Sequence, residues 1–156
     1  MDIVGQGFDA GIRLGESLDQ DMIAVRVSAP LRNIVVGAPA YFADRPAPIA
    51  APEDLQAHRC IGYRASGSRK LYKSEFERKG MVTETASKGT LVLDNHGLLV
   101  QAVLAGGGLA YVIEASVEEK LADVRLIQVL DDWCRAFGVF SCTTRVTARC
   151  LRRCVR

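Results

Sequence analysis

Short apolar runs of strand length alternate along this chain with segments of helical spacing, a pattern that suits a layered α/β fold. The run Leu31–Gly37 holds Ile34-Val35-Val36, continuous and β-branched, as expected of a strand buried on both faces. Residues 22–27 place Ile23, Val25 and Val27 on one face and Arg26 on the other, and Pro30 interrupts the pattern. Residues 7–15 read as a short strand bounded by glycines. Pro39 and Pro52 each open a short helix, the second with Glu53 and Asp54 in its first turn. Residues 59–63 read as a strand followed by a polar loop at 65–68. Residues 70–79 are charged, with Leu71, Tyr72 and Phe76 as apolar contacts. Residues 82–92 read as two short strands around a turn at Gly89.

Asp94-Asn95-His96 can cap a helix that buries Leu98, Leu99, Ala102, Val103 and Gly106, and Gly106-Gly107-Gly108 stops it. A buried strand follows at 109–113. Ser116 with Glu119 three residues on forms a capping box for a further helix. Residues 124–130 have strand character. The expected architecture is α/β with a largely parallel sheet.

At 156 residues the chain is long enough for one domain with a sizeable core. Apolar residues make up 49% and charged residues 24%, which excludes disordered and fibrous classes. No apolar run approaches the ~18–20 residues of a membrane span. The N-terminus carries Asp2 and no apolar core, so no signal peptide is expected, and the cytoplasm is the expected compartment. Six of the 20 basic residues (Arg135, Arg145, Arg149, Arg152, Arg153 and Arg156) follow Asp132, and no acid does. Residues 1–132 therefore carry 14 bases against 18 acids, a balance that argues against direct binding to nucleic acid. Cys60 stands alone, while Cys134, Cys142, Cys150 and Cys154 crowd the tail at spacings unlike a zinc site. Disulfides are not expected in a reducing compartment.

No reaction machinery is evident. His58 and His96 lack a nucleophile on a strained turn such as G-x-S-x-G. His58 reads as a surface residue at a helix end, and His96 as a residue at a helix start. The three glycines 106–108 follow a helix rather than open one, so they are not a phosphate cradle. Cys60 reads as a small buried apolar residue. Neither a catalytic residue, a metal nor a cofactor is expected. What remains are three loops at strand ends: Arg13-Leu14-Gly15, Ala65-Ser66-Gly67-Ser68, and Asp94-Asn95-His96 at a helix N-terminus. In open α/β sheets, ligands bind beyond the carboxyl ends of strands, and helix N-termini favour anions.

Five motifs carry a resemblance. Residues 7–15 are similar to the "GFDAGIRLG" stretch of LysR-type transcriptional regulators. Residues 36–42 resemble their "VGSPAYF", and Pro52-Glu53-Asp54-Leu55 with His58-Arg59-Cys60-Ile61 resembles "PEDLxxHxCI". Residues 106–111 are similar to "GxGLAYL", and residues 129–133 to "VLEDW". The five occur in family order between residues 3 and 133.

The resemblance implies an effector-binding domain of the type 2 periplasmic-binding-protein fold, two α/β lobes around a small-molecule cleft. The second lobe would be largely complete, at about 35–123, with the chain recrossing at 125–132. The first lobe and the helix-turn-helix would be mostly missing. Residues 1–133 would form the partial domain. Residues 134–156 would be an atypical Arg/Cys-rich tail, without periodicity and consistent with a changed reading frame. On this template Arg13 and Gly15 line the first-lobe side of the cleft, and Ser66, Ser68, Asn95 and His96 the second-lobe side. The implied partner is a small-molecule effector, a small carboxylate or other anion. A homo-oligomer through lobe surfaces is also implied, with no membrane and no direct DNA contact by this chain. Ligand would act by shifting a conformational equilibrium, without catalysis. The alternatives are a non-functional fragment, a stand-alone solute-binding protein of the same fold, and a small α/β enzyme.

Overall fold

The computed structural model describes residues 11–14, 22–44, 48–64, 70–85, 89 and 91–145. It divides into two compact units, Met1–Leu31 with Phe137–Arg156, and Arg32–Ala136.

The first unit contains a three-stranded antiparallel sheet. Strand β1 (Gly11–Leu14) and strand β2 (Met22–Arg26) flank β11 (Phe140–Arg145). The register aligns Ile12, Cys142 and Val25 in one cross-strand row. Alternation therefore gathers apolar residues on one face, with Ser141 and Arg26 paired in the next row. No element was expected in residues 134–156. Here β11 occupies the middle of the sheet, its Phe140, Cys142 and Thr144 alternating with Ser141 and Thr143.

The second unit is built on β3 (Leu31–Gly37), β4 (Cys60–Tyr63), β7 (Val92–Leu93) and β8 (Leu109–Ile113), in the order β3-β8-β4-β7. Strands β9 (Ile127–Val129) and β10 (Ala136–Phe137) also pair with β3. The run Ile34-Val35-Val36 is buried throughout, as its composition predicts. The largely parallel sheet that the alternation suggested is corrected to a mixed one. Strands β4, β7 and β8 are mutually parallel, but β3 is antiparallel to both β8 and β9. Alternation of strands and helices restricts the layers, whereas strand direction depends on which neighbours pair, and pairing is non-local.

Helix α1 (Pro39–Asp44) follows β3, and residues Pro52–Ala57 form a 3-10 turn before β4. Helix α2 (His96–Leu104) packs on β8 and β4, burying Leu99, Val100 and Val103. Leu98 was expected on this buried face, yet it is 59% exposed. At nine residues the helix presents a narrow buried stripe of Leu99, Val100 and Val103, which leaves Leu98 outside it. Residues 82–92 do contain two strand segments, but they do not pair. Strand β6 (Met81–Thr85) forms a hairpin with β5 (Ser74–Arg78), and β7 joins β4. The hairpin turn falls at Lys79-Gly80, both with positive φ, as a two-residue turn requires. It lies between the 3-10 turns at 52–57 and 131–133 and buries Phe76 against Tyr111.

The expected capping box is also absent. Helix α3 (Glu118–Ala122) starts from Val117, whose side chain is fully buried, and no side chain caps it. Ser116 instead closes a preceding 3-10 turn at Glu114–Ser116.

Two glycines hold β4 in place. A Cβ on Gly89 would lie 1.7 Å from the Cys60 carbonyl oxygen. A Cβ on Gly108 would lie 2.4 Å from that of Arg59, which accepts the Leu109 N–H at 2.8 Å. Gly108 also sits at φ +153°, where a side chain is strained. Gly108→Ala should therefore destabilise the protein by about 1–3 kcal/mol through overpacking. Gly106→Ala, at φ +76° with open space around it, should cost about 1–2 kcal/mol from backbone strain alone. Urea denaturation of the two variants measures the difference, which the clash model requires to fall on Gly108.

Candidate functional site

The carboxyl ends of the three parallel strands, Tyr63 of β4, Leu93 of β7 and Ile113 of β8, converge on the start of α2. Parallel pairing imposes this, because the registers run Gly62↔Val92, Tyr63↔Leu93 and Cys60↔Leu109 in the same direction. The chain leaves β7 at Leu93 and enters α2 after two intervening residues, so the helix N-terminus stands over the strand ends.

Asn95 is the N-cap. Its backbone is extended (φ −116°, ψ 121°), and its Oδ1 accepts the Leu98 N–H at 3.0 Å. The Leu99 N–H reaches the Asn95 carbonyl at 3.0 Å. The first-turn N–H groups of His96 and Gly97 have no intrahelical acceptor, as in any α-helix. With Asn95 exposed, the side-chain amide adds donors to the same end. The result is a donor-rich, positively polarised helix end at the carboxyl edge of a sheet.

His96 is half-buried. Its Nε2 lies 2.7 Å from Ser116 Oγ, and that hydroxyl donates to the Ile113 carbonyl at 2.5 Å. The imidazole meets the Tyr63 ring edge-on, with centroids 6.5 Å apart at 82°. Burial lowers the His96 pKa below the usual imidazole value.

Of the residues singled out from sequence, Asn95 and His96, consecutive in the chain, stand at this end of the second unit. Arg13 lies on β1 in the first unit. Gly15, Ser66 and Ser68 lie outside the described residues. Ser116 and Tyr63 were missed. Ser116 was assigned to a cap twenty residues away in sequence, and only the parallel β4–β8 pairing brings it to His96.

His58 is corrected from a surface residue to a buried one, 5% exposed. It closes the 3-10 turn at 52–57, and its Nδ1 lies 3.2 Å from the buried Tyr41 hydroxyl. That hydroxyl also accepts the Arg59 N–H at 3.0 Å. The bridge pulls the imidazole inward, and nothing in the local sequence signals it. Cys60 is buried as expected and donates to the Leu55 carbonyl. Burial pushes its thiol up to about 11. Burial likewise raises the Cys134 thiol. Among the described residues, no three His, Cys, Asp or Glu side chains converge on a metal-sized site. No helix among them is long and apolar enough to cross a membrane.

Comparison with known proteins adds three findings. The sequence profile of the LysR substrate binding domain matches residues 1–153. A relative in Pseudomonas aeruginosa, named as a transcriptional regulator, is 42% identical over 87% of this chain and 44% of its own length. The Escherichia coli HTH-type transcriptional regulator PgrR is 35% identical over 83% of this chain and 43% of its own. The chain thus spans less than half the length of these relatives. Among solved structures, the regulatory domain of AphB from Vibrio vulnificus superposes with a TM-score of 0.82. The identity is 21%, over 97% of this chain and 73% of that one. The regulatory domain of CrgA from Neisseria meningitidis gives a TM-score of 0.74 and 22% identity, covering 96% and 72%. At such identities the structures speak for the fold.

Two outcomes follow from the site geometry. Asn95→Ala removes the α2 cap and should lower stability by about 0.5–2 kcal/mol, measured by thermal or urea melting. Asn95→Asp, which keeps an acceptor, should restore most of it. Cys60, protonated at pH 8, should resist maleimide in the folded protein and label only as the chain unfolds. Peptide mapping of labelled cysteines tests this, and labelling of Cys60 faster than unfolding would refute it.

Proposed function

The chain belongs to the LysR substrate-binding domain family, and on that premise we propose that the start of α2 is its effector site. The domain has the type 2 periplasmic-binding-protein fold of the LysR-type regulatory domains it superposes on. The proposed ligand is a small carboxylate or other small anion. Its charge would be held by the first-turn N–H groups of α2 and the Asn95 amide, with His96 beside it. One observation carries the reading: an Asn-capped helix N-terminus standing over the carboxyl ends of three parallel strands. That position favours negative charge by about 0.3–1 kcal/mol from the dipole, before any direct hydrogen bond is counted. Ser66 and Ser68, which follow β4 in the chain, are proposed as further lining residues.

The mode of action proposed is binding without catalysis. A ligand that contacts one arrangement of the regulatory domain better than another shifts their populations by its differential affinity. In a longer regulator, such a shift would reach the DNA-binding segments through the packing of a homo-oligomer. The LysR-type regulators similar to this chain support that setting, in which the present residues supply the sensor.

A thermal-shift screen against small aliphatic and aromatic carboxylates, amino acids and phosphate tests the proposal. A ligand present at 100 times its Kd should stabilise the protein by about 2.7 kcal/mol. The increment should be lost in Asn95→Ala relative to that variant's own unliganded melt. A cooperative melt that no anion moves would rule out this site.

A further inference from the structure

The seam between the β5–β6 hairpin and the sheet beneath it contains a small cavity of about 10 Å³. Val35, Leu55 and Leu109 give it apolar walls. Two hydroxyl side chains, Ser74 and Thr85, also line it. They face each other across the open end of the hairpin, in the register Ser74↔Thr85. Both residues are more than nine-tenths buried, Ser74 at 6% exposure and Thr85 at 8%. Among the described residues, neither hydroxyl has a hydrogen-bond partner.

The other polar side chains at the cavity are already engaged. The Cys60 thiol donates to the Leu55 carbonyl at 3.5 Å. The Tyr111 hydroxyl donates to the Glu75 carbonyl at 2.6 Å. That leaves the two hydroxyls, each with one proton to give and lone pairs to receive. Buried polar groups that no protein group meets are ordinarily met by an internal water. The size of the cavity agrees with this occupant. It has room for about one water and is far too small for an organic ligand. The spacing agrees as well. Directly opposed residues of an antiparallel pair hold their Cβ atoms about 4.5–5.5 Å apart, so a water fits between the hydroxyl oxygens they carry.

We propose that this cavity is a binding site for one internal water that bridges Ser74 Oγ and Thr85 Oγ1. The water accepts from one hydroxyl and donates to the other. It joins the two strands at the end of the hairpin opposite the Lys79-Gly80 turn. Near that turn, side chains hold the hairpin to its surroundings, through Arg78 with Asp132 and Arg135 with Glu77. At the open end the polar link runs through solvent instead. The site lies apart from the start of α2 and does not rest on the effector reading.

Oxygen-17 relaxation dispersion of the solvent, measured on the full chain, tests the proposal. It registers long-lived internal waters without interference from exchanging hydroxyl protons. The comparison is with a double variant, Ser74→Ala with Thr85→Val, the second of which keeps the side-chain shape. The expected result is a dispersion amplitude lower by about one water in the double variant. An unchanged amplitude in a folded double variant overturns the proposal. A crystal structure of the unsubstituted chain gives the second reading. It should show a solvent oxygen within about 3.2 Å of both hydroxyl oxygens. Ser74 and Thr85 bonded to each other or to a protein group, with no solvent oxygen between them, would overturn it. That structure decides if the double variant fails to fold.

Discussion

Strand β4 is gripped from both sides by close backbone contacts, and the second unit is organised around that grip. Gly108 meets the Arg59 carbonyl as β8 begins, and Gly89 meets the Cys60 carbonyl before β7 begins. Neither position tolerates a side chain without displacement of the backbone. With β4 thus clamped, β7 and β8 must run beside it in the same direction. Their carboxyl ends then share one edge of the sheet. The donor-rich start of α2 and the Ser116 hydroxyl both arrive at that edge because of this parallel trio.

The remainder of the unit supports the trio from behind. Strand β3 is buried along its length and pairs antiparallel to β8, which closes the other side of the sheet. The β5–β6 hairpin buries Phe76, and its outer residues are tied to the 131–135 segment by ion pairs. Arg78 reaches Asp132 at 3.5 Å and lies over the Trp133 ring, while Arg135 pairs with Glu77. These pairs are largely exposed, so each contributes little, ~0–1 kcal/mol. The buried contacts of Phe76 and Tyr111 contribute more to holding the hairpin down.

Much of this was legible in local patterns. Ile34-Val35-Val36 marked a fully buried strand, Pro39 and Pro52 marked helical turns, and Asn95 marked a cap. Each depends on residues within a few positions, so periodicity and capping chemistry suffice to find it. The failures have the opposite character. Leu98 was placed inside because the spacing of a short helix does not say which of two adjacent leucines faces the sheet. His58 was placed outside because its partner, Tyr41, lies seventeen residues earlier. Ser116 was given to a helix cap when its hydrogen bonds run to Ile113 and to His96. Strand β11 leaves little local trace, because a run of Ser, Cys and Thr carries little hydrophobic signal.

The sequence by itself therefore determined the order and kind of most elements and the motifs that identify the family. The tertiary structure decided strand direction, the burial of His58, and the meeting of His96 with Ser116. The physical reason is one of range. Propensity, capping and turn chemistry act between near neighbours and leave a local record. Parallel pairing brings together groups twenty or more residues apart, and their proton sharing appears only once the backbone has placed them within 3 Å.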